Sequence, residues 1–104
     1  MNMQALMKQA QNMQRDINKI KNELDNTAFT ASNSMVKVEM MGDKKIKSIK
    51  ILPSAKEVID DDITMLEDMI LLALNDVIEK IDKKTEEKMG KYSSMMTGLM
   101  WYVS

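Results

Sequence analysis

The side chains best placed to do chemistry are cations and amides in the N-terminal segment. On a helix, Lys8, Arg15 and Lys19 fall on one side, flanked by Gln4, Gln11 and Asn22. No acid lies within that arc, since Asp16, Glu23 and Asp25 project elsewhere. Cations and amides both donate hydrogen bonds to phosphate oxygens, so such an edge is suited to a nucleic-acid backbone. The competing reading is the plain solvated face that every amphipathic helix carries.

Lys44, Lys45 and Lys47, with Lys50 following, form a second group around a predicted turn. They would make a positive tip on a sheet, or guard an exposed strand edge against aggregation. No aromatic is interleaved with them, which leaves base stacking on the sheet without support.

Other chemistry finds little footing. The chain has no histidine and no cysteine, the usual general base and the readiest nucleophile. Gly42, Gly90 and Gly98 are isolated, so no phosphate-cradling loop is formed. Asp60, Asp61 and Asp62 point in different directions and lack calcium-loop spacing; helix capping explains them better than a metal. No enzyme activity, metal, cofactor or small-molecule substrate is therefore expected.

Net charge does not name a partner, because 15 basic residues nearly cancel 16 acidic ones. The charges are nevertheless segregated. Between Asn33 and Lys56 lie six lysines and two acids; Glu57 to Asp68 holds six acids and no base. Local fields of this kind are hidden by the sum.

The elements that must position these residues follow from periodicity. Met3, Leu6, Ala10, Met13, Ile17, Ile20 and Leu24 recur at steps of three and four, predicting a long helix over Asn2 to Asp25 with a heptad seam. Met35, Val36, Val38 and Met40 alternate with Lys37 and Glu39, a strand with one buried face. After the Gly42-Asp43 turn a second strand runs from Lys45 to Leu52, with a bulge expected near Lys47-Ser48, and Pro53 ends it. Thr27 to Ala31 adds a weaker third strand before the Ser32-Asn33-Ser34 turn.

A second long helix starts within Asp60 to Asp62 and closes at Gly90. Its stripe is Ile63, Leu66, Ile70, Ala73, Leu74, Val77 and Ile81, with Met65, Met69 and Leu72 as a second ridge beside it. Together they cover more of the helix than one sheet face can bury, so the ridge predicts a homodimer interface. Of the 13 methionines, Met3, Met13, Met35, Met40, Met65 and Met69 sit at seam, strand-face or stripe positions, where core filling is expected.

With 104 residues and no disulfide, the core is small, and dimerisation is the common remedy. The segment Met1 to Ala10 lacks the pattern of a secretory signal, and Met69 to Leu74 is too short to cross a bilayer. The expectation is a cytoplasmic α+β, two-layer domain over residues 1–91. It has a long N-terminal helix, an antiparallel sheet of about three strands and a long second helix, followed by a loose tail over 92–104.

Three stretches carry a resemblance: LMKQAQNMQ (6–14), VKVEMMGDKKIKSIKI (36–51) followed by Pro53, and MLEDMILLALNDVIEKI (65–81). Together they resemble the YbaB/EbfC family of bacterial nucleoid-associated proteins, over roughly residues 2–100. The resemblance implies a compact α/β dimer with projecting helical arms that binds double-stranded DNA with little or modest sequence preference, at the nucleoid. Two features depart from the family pattern. Ser32-Asn33-Ser34 stands where a glycine-rich stretch is common, and the Trp101 to Ser104 end has no family counterpart. The alternative function is a protein-interaction module in which the heptad seam docks a partner's helix.

Overall fold

The computed structural model describes residues 2–59 and 62–92. Helix α1 spans Met3–Asp25 and is followed by strands β1 (Ala28–Ser32), β2 (Val36–Met41) and β3 (Ile46–Ile51). A 3-10 turn at Pro53–Ala55 leads into the short helix α2 (Lys56–Ile59); α3 runs over Ile63–Met89, and a second 3-10 turn occupies Gly90–Tyr92. The strands form one antiparallel sheet in sequence order. This is the expected α+β architecture.

The two-residue alternation of β2 decides which face is buried. Val36, Val38 and Met40 point under α3, while Lys37 is exposed on the other face. Phe29 and Ala31 of β1 pair with Met40 and Val38, placing them on the same inner face. Leu66, Ala73, Val77 and Ile81 of α3 close the core from above. The predicted bulge falls at Lys47: Glu39 pairs with Ser48 and Met40 with Ile46, so Lys47 has no partner across the ladder.

Helix ends and turns are held by side chains. Asn2 caps α1, accepting from the Gln4 N–H, and Asp62 caps α3 through the Met65 N–H. At the far end of α1 the Asn26 amide donates to the Asn22 carbonyl and the Thr27 hydroxyl to the Glu23 carbonyl. Asn33 organises the β1–β2 turn: its Oδ1 accepts from the Met35 and Val36 N–H groups, and its Nδ2 donates to the Met69 carbonyl of α3 at 2.9 Å. One asparagine thus does what a glycine-rich stretch would do by backbone freedom, and it also ties the sheet to the helix.

The second long helix closes at Gly90 as expected, and the chain coils on through the 3-10 turn to Tyr92. Two expectations need correction. Tyr92, placed by the sequence at the start of the tail, is buried, and its hydroxyl donates to Asp16 of α1 at 3.3 Å. Ile63, counted in the α3 stripe, is 61% exposed. Asp60, Asp61 and residues 93–104, including most of the expected tail, lie outside the described residues.

Helix α1 is only partly docked. Leu24 is buried, Met13, Ile17 and Ile20 are half-buried, and every residue from Met3 to Asn12 is exposed. The radius of gyration, 19.6 Å, is well above the ~13 Å of a compact domain this size. The N-terminal half of α1 therefore projects as an arm. The lower half of the heptad seam packs on the protein's own α3, leaving the upper half open.

Candidate nucleic-acid interface

The basic edge of α1 survives folding intact. Lys8, Arg15 and Lys19 are all exposed, and among the described residues none of them forms an ion pair. Helical rise sets Lys8 and Lys19 ~16 Å apart along the axis. Their settings differ at the arm's root. Lys19 lines a shallow cleft with Asp16, Glu23 and Tyr92, so carboxylates temper its field, whereas Lys8 stands out on the arm.

The hairpin lysines are not one patch. The turn is closed by Lys44 N–H to Met41 C=O (2.8 Å) and Met41 N–H to Lys45 C=O (2.9 Å), which puts Lys44 at φ 71°. Its ammonium turns toward α3 and lies 3.0 Å from Asp82. Lys44 also shares a cleft with Lys21 and Asp25, on a different side of α1 from the basic edge. Lys45 is exposed at the tip, and its N–H donates to the Asp43 carboxylate. Lys47, at the bulge, reaches Glu39 at 3.9 Å. On the outer face of the sheet Lys37 and Lys50 stand directly opposite each other, adding a second pair of cations away from the tip.

The predicted dimer ridge is split by depth. Met65 and Leu72 are 40% and 51% exposed, but Met69 packs against the core. Sequence reasoning passed over a second apolar surface. Ile46, Ile49 and Ile51 pair with Met40, Val38 and Val36, so they share the inner face of the sheet, yet all three are exposed. The cause is geometric: α3 lies over β1 and β2 and leaves β3 uncovered. Leu71 is exposed on α3 as well. The signal was available, because three isoleucines on the inner face of a third strand are more than one helix can cover.

Lys80 has a structural bond of its own, donating to the Thr30 carbonyl at 2.9 Å. Lys84 and Lys88 of α3 line a small apolar-floored cleft with Ile20, Glu23 and Phe29. Among the described residues no cluster of acids has the grouping needed to hold a metal ion, and no helix is long and apolar enough to cross a membrane.

A projecting helix with a free basic edge thus stands on a three-stranded α+β core. The model of the YbaB/EbfC DNA-binding family matches residues 1–96. The chain belongs to that family. A nucleoid-associated protein of Ligilactobacillus salivarius is 46% identical over 102 residues, covering 95% of each chain. One from Enterococcus faecalis is 38% identical over 100 residues, covering 93% of each. Among solved structures, that of an uncharacterized Helicobacter pylori protein superposes with a TM-score of 0.72 at 18% identity, covering 88% of this chain and 97% of the other. At that identity the likeness establishes the YbaB-like fold. The bacterial relatives place the chain among nucleoid-associated DNA-binding proteins.

Proposed function

We propose that this YbaB/EbfC family member binds duplex DNA as a homodimer, gripping phosphates with the edge formed by Lys8, Arg15 and Lys19. One observation carries the reading: among the described residues these cations stand unpaired, on an arm that reaches beyond the folded core. Phosphate contacts fix position without reading bases, so sequence preference is little or modest. Lys45 and Lys47 are auxiliary contacts, and Lys44 is the weaker candidate because Asp82 already engages it. The chain acts in the cytoplasm, at the nucleoid.

The second copy is called for by apolar surface. Ile46, Ile49 and Ile51 on β3, with Leu71, Met65 and Leu72 on α3, are large apolar side chains exposed on the two elements a partner would cover. A two-fold contact would bury them and duplicate the arm. Duplication doubles the phosphate contacts and raises affinity well beyond that of one arm. A gel-shift titration of purified protein on unrelated duplexes tests the reading: comparable affinity on all of them, falling steeply with salt, is expected. Binding confined to one sequence, or indifferent to salt, would count against it.

A further inference from the structure

The outer face of the sheet carries cations that the fold does not use. Helix α3 packs on the inner face, against Val36, Val38 and Met40, and leaves Ser32, Lys37 and Lys50 exposed on the other. The registers set Ser32 of β1 opposite Lys37 of β2, and Lys37 opposite Lys50 of β3, so three hydrogen-bond donors form one row across the sheet. The next row is Thr30, Glu39 and Ser48, and its glutamate faces Lys47 at 3.9 Å. Among the described residues neither Lys37 nor Lys50 forms an ion pair. Like charges directly opposite each other destabilise a strand pair. A lysine can guard an edge strand against aggregation, which accounts for Lys50. It does not account for Lys37, because β2 is the central strand.

We propose that the Ser32–Lys37–Lys50 row takes the phosphate backbone of a second duplex while the arm holds the first. The inference rests on the DNA-binding reading above and adds a separate site to it. Opposed residues have Cβ atoms about 5 Å apart, so two flexible ammoniums can close on one phosphate group, with the Ser32 hydroxyl as a further donor. A bound phosphate offsets the repulsion that the bare strand pair carries. No aromatic stands in either row, so the face meets backbone rather than stacked bases. Position separates the two sites. The arm leaves the core where Gly42 meets Leu24, beside the Ala28–Met41 pair. The row lies at the other end of the strands, ~13 Å away by strand rise, next to the turn where Asn33 is tied to Met69. Helix α3 runs from that turn toward the arm, since Met69 lies at Asn33 and Tyr92 at Asp16. Lys8 stands ~12 Å farther out than Asp16 by helical rise. Phosphates gripped along the arm therefore leave the row open.

The test uses the full chain and two unrelated duplexes, one held on a surface and one labelled and added afterwards. Capture of the labelled duplex is expected, weakening roughly tenfold between 50 and 200 mM salt for one chain's pair of contacts. Lys37→Gln combined with Lys50→Gln should abolish capture, while affinity and salt slope on a single duplex stay as they were. The melting temperature of this variant should not fall, because the pair contributes repulsion. A control, Lys83→Gln with Lys84→Gln, removes the same charge elsewhere and should keep capture. The proposal is overturned if the unmodified chain binds one duplex and captures no second, if the row variant still captures, or if both variants lose capture alike. It is equally overturned if the row variant binds a single duplex more weakly, which would put the row on the first duplex. A lower melting temperature would make the pair structural and overturn it too. Failure of the unmodified chain to bind even one duplex would instead defeat the DNA-binding reading, and this inference with it.

Discussion

Gly42 lies so close to the end of α1 that a Cβ built on it would fall 1.8 Å from the Leu24 carbonyl oxygen. Its N–H donates to the Thr27 carbonyl at 2.9 Å. The hairpin turn and the helix terminus therefore interlock, and this contact helps to set the angle at which the arm leaves the core. Gly42 is required here for close approach, since its φ is not positive. Gly42→Ala must move backbone atoms and should cost about 2–3 kcal/mol. For a domain this size that lowers the midpoint of thermal unfolding by on the order of 10–20 °C. A shift of only a few degrees would mean that the two segments separate easily.

Lys44 occupies the left-handed region without being glycine, asparagine or aspartate. Strain at such a position costs roughly 1–2 kcal/mol, more than its exposed ion pair with Asp82 returns. In an Asp82→Asn background, where the pair is already gone, Lys44→Gly should raise stability by about 1 kcal/mol in urea titration. A loss of stability there would show that the lysine stem packs usefully.

Asn33→Ala removes two acceptor bonds in the β1–β2 turn and the donor bond to Met69 at one stroke. Part-buried backbone groups lose their partners, so destabilisation of about 2–3 kcal/mol is expected. Asn33→Gly tests the comparison with a glycine-rich turn. Asn33 is not at positive φ, so glycine should be no more stable than alanine there, and the loss should follow the missing side-chain bonds. Equal stability of all three proteins would remove Asn33 from the account.

Much of this fold was legible because periodicity is a property of neighbouring residues. The switch from the 3–4 spacing of Met3 to Leu24 to the alternation of Val36 to Met40 located the first helix and the sheet. The step of three between Ile46 and Ile49 located the bulge. What was not legible depended on distant partners. Nothing near Lys44 in sequence announces Asp82, and nothing near Tyr92 announces Asp16. The exposure of Ile46, Ile49 and Ile51 is set by where α3 crosses the sheet, which no local pattern encodes. The Lys8–Arg15–Lys19 edge was readable because a helical wheel is local, and exposure kept it intact.

The β3 surface gives a test of dimerisation that spares the core. Ile46, Ile49, Met65 and Leu72 are exposed, so lysine at Ile49 and Leu72 should leave the fold in place while weakening self-association. Sedimentation at micromolar concentration should show a dimer for the unmodified chain and a monomer for this variant. A well-folded monomer in the unmodified chain would contradict the homodimer.

The central claim is that the α1 edge grips phosphates, and its most direct measurement is the salt dependence of DNA affinity. Three cations in each of two subunits make about six contacts, a log–log slope near −5, and roughly a thousandfold loss of affinity between 50 and 200 mM salt. Glutamine at Lys8, Arg15 and Lys19 preserves helix propensity. The triple variant should therefore keep its dimer and melting temperature while the slope flattens toward zero and binding weakens equally on unrelated duplexes. The matched set, glutamine at Lys44, Lys45 and Lys47, should change the slope by much less. An unchanged slope and affinity in the helix variant, with binding abolished in the hairpin variant, would contradict the account.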